Sequence, residues 1–364
     1  MSEENGILIV GGSGTVGRKI AGFLAPDYPG QVVIASRNYE KAQSVATGIG
    51  YGTSARTIDV RDRQSIEAAM DGIGIVMSCV AQPDLPNLLL AAISHGCGYT
   101  DIAPGSNKRP PYPDTLKTEA RHTGARIILG AGMVPGISNV FARMGAACVG
   151  PVISIESTCL LSAGDEYGQD SKGFITEEVV TSFETMIAGS KALVKPFTGS
   201  KKVDFLPPIG RVTAYPFPFS DQIFYPDTLG AQTAISRISL LPQWIPAAMA
   251  ALLPVVGKQL AKPRKKGGLG GLMDTLKRRY RGLNWWGVHL QMQGAKGSFT
   301  AVVQGHGQAE ATALSASAFL RALIEGEIAL SGIWTADQVV PADPFLKRLE
   351  AHGLVPTIKM NRAQ

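Results

Sequence analysis

The chain has 364 residues, of which 45% are hydrophobic and 18% charged, a balance typical of a globular protein with room for two domains. Its four cysteines lack C-x-x-C spacing and its five histidines are scattered, so neither a disulfide framework nor a metal site is predicted. The net charge of +6 comes from one stretch, 258–281, which alone carries +8 and leaves −2 for the rest. This distribution argues against a nucleic-acid-binding protein.

The polar residues 1–6 lead straight into a short apolar run at 7–10 that ends in a glycine-rich loop and is followed by helical spacing. We expect no targeting peptide and a cytoplasmic location. The strand, loop and helix start predict the phosphate loop of a dinucleotide site, where glycines let backbone N–H groups approach a pyrophosphate at a helix N-terminus. The predicted cofactor-binding residues of this loop are Gly11, Gly12, Ser13, Gly14, Thr15, Val16 and Gly17.

The second predicted strand, 31–36, ends in Ser36 and Arg37, where an NAD-preferring site usually has an acid. Arg37 favours a 2′-phosphate, and Lys41 follows one helical turn later. We therefore predict NADP(H) as the cofactor; the alternative is a solvated arginine at a strand end. Asp59 and Val60, at the end of a third predicted strand over 57–60, are predicted to contact the adenine half, although a loop Asp is as often a helix cap.

A nearly continuous apolar run at 73–79 predicts a fourth strand buried on both faces of a parallel sheet. Ligands of such sheets lie beyond the carboxyl ends of the strands, so Ser78, Cys79 and Val80 are predicted to contact the nicotinamide ribose. Further strands are predicted at 99–102 and 126–129. Six strands alternating with helices predict an α/β fold with an N-terminal doubly wound parallel sheet of the Rossmann type.

The sixth strand runs into a second glycine-rich loop, 130–139, which opens another helix. Its free N–H groups could hold a carboxylate or a carbonyl oxygen of a small-molecule substrate, or the loop could be a simple crossover into a second domain. The predicted substrate contacts are Met133, Pro135, Gly136 and Asn139.

Reduction by a nicotinamide requires a group that donates a proton to, or polarises, the atom that gains charge. The N-terminal half has no Tyr-x-x-x-Lys pair, so the candidates are Tyr99, Asp101 and Cys79, in that order. Tyr99 and Asp101 could instead simply pack and cap the fifth strand. His289 and His306 are reserve candidates.

The middle of the chain has a different residue pattern from the N-terminal part. We predict an amphipathic helix over 176–188, then irregular loops over an apolar pocket where prolines and aromatic residues interleave between 196 and 226. The uncharged stretch 238–257 is interrupted by three prolines and is no predicted membrane span. The stretch predicts one of two structures. It could form a pair of short helices that act as a lid or subunit contact, or an apolar face that lies on an anionic membrane together with the basic residues between 258 and 281.

Five motifs in order resemble the saccharopine dehydrogenase family of NADP-dependent oxidoreductases. They are the loop at 11–17, Ile-Asp-Val-Arg-Asp at 58–62, residues 78–83, Gly-Cys-Gly-Tyr-Thr-Asp at 96–101 and Gly-Met-Val-Pro-Gly-Ile at 132–137. The resemblance implies an NADP(H)-binding Rossmann domain over 1–135 and a second, α+β domain over 136–310 that supplies the substrate pocket and contains a mixed or antiparallel sheet. Helices in 311–364 would pack back toward the first domain.

The resemblance also implies hydride transfer, with reduction of a C=N bond in a small amine or amino-acid derivative as the leading prediction. Two alternatives stay open: reduction of a C=C or C=O bond in a hydrophobic acyl or polyketide-like intermediate, and a non-catalytic NADP(H) sensor. We also expect a homodimer.

Overall fold

The computed structural model describes residues 6–80, 86–102, 112–166, 175, 178–260 and 268–362. The chain divides into two compact units. The described residues up to 132, together with 312–348, form the first unit, and those of 133–311 and 349–362 form the second.

Helices and strands alternate through the first third of the described chain and give way to a strand-rich segment. In chain order they are β1 (Gly6–Val10), α1 (Gly17–Leu24), β2 (Val32–Ser36), α2 (Tyr39–Ile49), β3 (Ser54–Thr57), α3 (Arg63–Ala69), β4 (Ile73–Ser78), α4 (Asn87–Ser94), β5 (Gly98–Asp101), α5 (Asp114–Thr123), β6 (Arg126–Leu129), α6 (Ile137–Val149), β7 (Val152–Ser162), β8 (Phe183–Ile187), β9 (Ser190–Val194), β10 (Lys201–Asp204), β11 (Arg211–Pro216), α7 (Asp221–Leu229), β12 (Thr233–Leu241), α8 (Trp244–Leu260), α9 (Gly268–Arg279), β13 (Trp285–Gly294), β14 (Gly297–His306), α10 (Gln308–Ile324), β15 (Gly332–Thr335), α11 (Ala336–Val339), α12 (Ala342–Glu350) and β16 (Thr357–Arg362).

The sheet of the first unit has seven parallel strands in the order β15-β6-β5-β4-β1-β2-β3. The chain winds outward from β1 in one direction to β3, then returns to place β4 on the other side of β1. The strand order reverses between β1 and β4, and the carboxyl ends of these two strands define the crevice where such sheets bind ligands. The predicted doubly wound parallel sheet is confirmed.

Burial explains why the central strands were recognisable. All four residues from Ile7 to Val10 are at most 1% exposed, because helices cover both faces of a parallel sheet and select a continuous apolar run. Side-chain caps begin two of the covering helices: Asn38 accepts the N–H of Lys41 at 2.8 Å, and Asp62 accepts the N–H of Gln64 at 3.0 Å.

The sheet of the second unit has nine strands and is mixed, as expected for the second domain. Its main path runs β10-β11-β12-β7-β13-β14-β16, and β8 and β9 extend it from β12. The β12–β7 pair is parallel, whereas β7–β13, β13–β14 and β14–β16 are antiparallel. Helix α6 approaches the sheet closely at Gly145, where a Cβ would lie 2.9 Å from Cδ1 of Phe299.

The predicted final segment, 311–364, is divided between the units. Residues 312–348 belong to the first unit, where β15 adds to the edge of the parallel sheet beside β6. Strand β16 belongs to the second unit because it pairs with β14.

The third strand lies earlier than predicted. It covers Ser54–Thr57, so Asp59 and Val60 follow the strand instead of ending it. The chain leaves the sheet here because a turn closes from the N–H of Asp62 to the carbonyl of Asp59 at 3.0 Å and starts α3.

The predicted helix over 176–188 is wrong from residue 179 onward; Glu178 is helical, and residues 176 and 177 lie outside the described residues. Strands β8 and β9 form a hairpin there, turning at Ala188 and Gly189, which both have positive φ. Phe183 and Thr185 are buried and Glu184 between them is exposed, which is the two-residue period of a strand.

The prediction of irregular loops over an apolar pocket between 196 and 226 is also wrong. The segment contains β10, β11 and the start of α7, and most of its aromatic side chains are core residues. Phe217 is fully buried, with its ring centroid 4.9 Å from that of Phe219 and 6.4 Å from that of Phe197. The aromatic residues therefore fill the domain interior.

The uncharged stretch 238–257 contains the end of β12 and most of one helix, α8, so the predicted pair of short helices is wrong. Pro246 falls in the first turn of α8, where a missing N–H costs no helical hydrogen bond. Within the described residues, the structure has no helix of the length and apolarity that a membrane span requires.

Candidate active site

The glycine loop after β1 packs tightly against the start of α1. A Cβ on Gly17 would lie 2.5 Å from the carbonyl oxygen of Gly11, and one on Gly12 would lie 2.7 Å from that of Ile9. The N–H of Gly14 closes the turn onto the Gly11 carbonyl at 2.9 Å. Val16, the N-cap residue of α1, gives the helix no side-chain cap, which suits a helix N-terminus that receives a phosphate.

The end of β4 lies beside this loop, as the sequence predicts. A Cβ on Gly11 would meet Cγ1 of Val80 at 2.7 Å, and the N–H of Cys79 donates to the carbonyl of Val10 at 2.9 Å. Ser78 is buried and stands in register with Val10 on β1 and with Asp101 on β5. The carboxyl edge of the sheet thus brings together the glycine loop, the end of β4 and Asp101.

Asp101 joins the ends of two strands. Its Oδ1 accepts the backbone N–H of Gly130 at 3.0 Å, and its backbone carbonyl accepts the N–H of Ala131 at 2.6 Å. The hydroxyl of Tyr99, a fully buried side chain, donates to Asp101 Oδ2 at 3.4 Å. Tyr99 therefore orients the carboxylate from inside the sheet. Proton donation by either residue stays a prediction.

Cys79 is held as a neutral thiol. Burial raises the pKa of this thiol, and the nearby Asp101 carboxylate raises it further. A thiol held protonated in this way is a weaker acid than an ordinary cysteine, and proton donation by Cys79 stays a prediction.

At the ribose end, Arg37 and Lys41 are both exposed beyond β2. Ser36 Oγ donates to the carbonyl of Asn38 at 2.7 Å, which shapes the turn that presents Arg37. No acid occupies this turn between Ser36 and Tyr39. The arrangement offers cations to an anionic group on the ribose.

Arg61 is a neighbour of this end that the sequence analysis missed. Its Nε and Nη2 bind Asp59 Oδ1 and Oδ2 at 3.0 and 2.7 Å. Hydrogen bonds from Arg61, with a smaller contribution from the charge of Arg37, lower the pKa of Asp59 to about 2. The predicted adenine contact is therefore an ionised group already bound to an arginine. The sequence feature that could have revealed this ion pair is the position of Arg61, two residues after Asp59.

In the second unit, the predicted substrate residues Met133, Pro135 and Gly136 lie in a buried loop before α6, and Asn139 lies in the first turn of that helix. Asn139 Oδ1 accepts the N–H of Gly136 at 3.0 Å, so this amide oxygen caps its own helix. Substrate binding by this loop stays a prediction.

A buried carboxylate below this loop was also missed. Asp221 is fully buried and its Oδ2 accepts hydroxyl hydrogen bonds from Ser157 at 2.7 Å and from Ser138 and Tyr225 at 3.2 Å. Burial raises the pKa of Asp221, and the hydrogen bonds from the surrounding hydroxyls oppose that shift. The sequence feature that could have revealed it is an acidic residue within a segment of aromatic and uncharged residues.

The reserve histidines lie in the second sheet. Burial, together with the charge of Lys201, lowers the pKa of His289 to about 4, so it is neutral near pH 7. The His306 ring lies 3.8 Å, centroid to centroid, from the Trp285 ring at an interplanar angle of 42°, and its Nδ1 forms a hydrogen bond with Asn284 Oδ1 at 2.7 Å. Among the described residues, no group of three or more metal-ligating side chains is found.

The first unit matches a known domain family. Residues 7–134 match the family model described as the saccharopine dehydrogenase NADP binding domain. Comparison with curated protein sequences finds no match.

One solved structure extends the likeness in fold beyond the first unit. Apo saccharopine dehydrogenase (L-Glu forming) from Saccharomyces cerevisiae is similar with a TM-score of 0.69 and 15% identity, over 98% of this chain and 100% of that chain. GenD2 from gentamicin A biosynthesis, in complex with NAD, aligns over 100% of this chain and 97% of that chain with a TM-score of 0.44 and 14% identity.

The parallel sheet, the glycine loop at its switch point and the domain match define an NAD(P)-dependent oxidoreductase. Within that class, the match over 7–134 supports the saccharopine dehydrogenase-like family for the first unit, and the likeness to the yeast saccharopine dehydrogenase is one of fold. The resemblance stated from the five sequence motifs is confirmed.

Proposed function

We propose that the protein is an NADPH-dependent reductase that transfers hydride to the C=N bond of a small imine derived from an amine or amino acid. One observation carries the cofactor half of this proposal: the glycine loop packs against α1 at the β1–β4 switch point, and Arg37 directly follows the neighbouring β2, with no acid at positions 37 and 38. The C=N half is supported by the family resemblance.

NADPH is the proposed cofactor because of the charge at the ribose end. The exposed Arg37 guanidinium can bind a 2′-phosphate through two parallel hydrogen bonds, and Lys41 adds a second cation. An NAD-preferring site would place a carboxylate there for the ribose hydroxyls, and that carboxylate would repel the phosphate.

The bound cofactor supplies the hydride, and the protein holds and polarises the groups around it. Gly11 to Gly17 would hold the pyrophosphate, and Ser78, Cys79 and Val80 would line the nicotinamide ribose. Asp101, oriented by Tyr99 and Gly130, is the proposed proton donor and would act from its protonated carboxyl form. Met133, Pro135, Gly136 and Asn139 remain the proposed substrate contacts.

The alternative reduction of a hydrophobic C=C or C=O substrate rested on the aromatic and proline-rich residues 197–225 and on the apolar segment 238–257. It has lost the first of these supports, because most of those aromatic side chains are buried in the interior of the second unit. A cytoplasmic location and a homodimer stay predictions, and sedimentation velocity tests the latter.

The first experiment is a fluorescence titration of the full chain with NADPH and with NADH. Arg37→Ala is expected to weaken NADPH binding about 10- to 100-fold, since a charge-assisted bond contributes about 1.5–3 kcal/mol, and to leave NADH binding unchanged. Arg63→Ala, which removes an exposed arginine of α3, is the matched control. Equal weakening of both nucleotides contradicts the 2′-phosphate assignment, and binding of neither overturns the cofactor assignment.

Reaction type is tested by NADPH oxidation with an amino acid and a 2-oxo acid, supplied together and separately. Imine reduction requires both reactants and gives one coupled amine product. Oxidation with a carbonyl or enoyl compound alone supports the alternative reductase. Tight NADPH binding with no turnover on any of these substrates favours a sensor.

A further inference from the structure

Helix α8 carries an apolar stripe on its exposed side. Trp244 and Val255 are 52% and 80% exposed, and Ala247 and Ala251 between them are exposed as well. Positions 244, 247, 251 and 255 recur at helical spacing and therefore lie on one side of the helix. Leu252, 56% exposed, widens this stripe.

The stripe is joined to a cluster of basic residues. Trp244 Nε1 donates to the hydroxyl of Tyr280 at 3.1 Å, which ties the start of α8 to the residue that follows α9. Arg278, Arg279 and Arg281 surround Tyr280 in sequence and are exposed, with the Arg279 guanidinium 5.6 Å from the centroid of the Tyr280 ring. One hydrogen bond therefore brings the apolar stripe and the arginines to the same place.

The composition of the connecting sequence strengthens the positive charge. Between residues 258 and 281 nine basic residues stand against the single acid Asp274. The rest of the chain has a net charge of −2, so this cluster is a local feature. Exposed Leu272 on α9 adds a further apolar group among these charges.

We propose that α8 and α9 dock the protein on an anionic lipid surface. The proposed docking surface consists of the exposed apolar residues of α8, Leu272 and the arginines 278, 279 and 281. Apolar side chains would enter the boundary between headgroups and acyl chains, while the arginines bind lipid phosphates or carboxylates. This surface adds to the proposed reductase activity and does not depend on it.

The charge distribution favours a lipid surface over a second copy of the chain. A twofold dimer places the same patch of both subunits face to face. In such a dimer, arginines 278, 279 and 281 of one subunit would face the same arginines of the other subunit. Asp274 is the single acidic residue between 258 and 281. An anionic membrane complements these charges instead.

Co-sedimentation of the full chain with large vesicles tests the proposal. We expect binding to vesicles of phosphatidylcholine with 30% phosphatidylserine at least tenfold stronger than to phosphatidylcholine alone, and weakened at 0.5 M salt because screening shortens the reach of charges. The double variant Leu252→Glu/Val255→Glu is expected to lose at least tenfold in binding. Arg278→Ala/Arg279→Ala/Arg281→Ala is expected to lose the preference for phosphatidylserine.

Leu193→Glu/Val355→Glu is the matched control, since both residues are exposed apolar side chains outside α8 and α9, at 72% and 62%. It should bind vesicles within twofold of the parent. Thermal unfolding and NADPH titration of each variant separate loss of docking from loss of folding or of the cofactor site. Equal binding to neutral and anionic vesicles, or vesicle binding insensitive to the α8 variant, overturns the proposal. A dimer that the α8 variant dissociates, without any vesicle binding, assigns this surface to a second copy instead.

Discussion

The Asp101 carboxylate accepts the backbone N–H of Gly130 at 3.0 Å, which links the carboxyl ends of β5 and β6 beside the glycine loop. The side chain is 4% exposed. The backbone N–H of Gly130 and the Tyr99 hydroxyl fix the orientation of this buried side chain. Its protonated carboxyl form is the one that would donate a proton to a bound substrate.

Replacing Asp101 should separate its structural and chemical roles. Asp101→Ala leaves the buried N–H of Gly130 without this acceptor and is expected to lower the free energy of unfolding by about 1–3 kcal/mol. Asp101→Asn keeps an oxygen acceptor and should lose less stability, yet kcat should fall about 10²-fold or more because the amide cannot supply the proton. Urea unfolding and steady-state NADPH oxidation measure the two effects.

Asp114→Ala on α5 is the control for Asp101, since its side chain is 95% exposed and its loss should change stability by less than about 0.5 kcal/mol. Full turnover by Asp101→Asn at every pH would contradict the proton-donor assignment and leave Asp101 a positioning residue.

The packing of the glycine loop predicts opposite effects for two glycines of the same helix. Gly17→Ala would place a Cβ 2.5 Å from the Gly11 carbonyl oxygen and 2.7 Å from Cα of Gly12, so the loop must shift and NADPH binding should weaken at least tenfold. Gly22→Ala meets nothing within 4 Å and should stabilise the protein by about 0.5–1 kcal/mol, because alanine loses less backbone entropy in a helix.

Nucleotide titration and urea unfolding of both glycine variants check this prediction. Unchanged NADPH affinity in Gly17→Ala would show that the contact between the loop and α1 does not set the binding geometry.

We expect the buried His289 to lower the stability of the folded protein in mild acid. Its folded pKa of about 4 lies below the ordinary value because of burial and Lys201, while Asp204 and Glu156 oppose the shift. A histidine depressed in the folded state contributes stability that is fully present above its unfolded pKa of about 6.5. That contribution is lost as the pH falls from about 6.5 toward about 4, because the unfolded chain then binds a proton that folded His289 resists.

Unfolding free energies between pH 7.5 and 4.5 test this dependence. His289→Gln is expected to reduce the fall in unfolding free energy at acid pH relative to the parent, whereas His122→Gln, at an exposed position of α5, should leave that fall unchanged. The same fall in the parent and in His289→Gln would show that His289 does not cause it.

Apolar patterning was enough to place β1, β2, β4 and β6, because strands buried on both faces need continuous apolar runs, and the glycine spacing placed the phosphate loop between β1 and α1. These signals are local. The same reasoning selected Arg37, Cys79 and Asp101, since carboxyl ends of parallel strands meet at one edge of the sheet.

Residues 183–194 show what local patterning could not decide. The hairpin of β8 and β9 is held to the sheet by pairing with β12, where Met186 stands opposite Ala234. A short run of mixed polar and apolar residues fits the helical and the strand period alike, so a distant partner settled the outcome.

The polar clusters depended on tertiary structure in the same way. The Asp221 carboxylate accepts hydrogen bonds from Ser157 and Ser138, which lie 64 and 83 residues away in sequence. No sequence pattern relates residues that are this far apart. The sequence by itself therefore determined the Rossmann-type half and its cofactor loop, because their signals repeat within a few residues. Tertiary structure alone decided the strand order of the second sheet, the burial of the aromatic residues in its core and which residues of α8 are exposed, because each depends on which distant segments pack together.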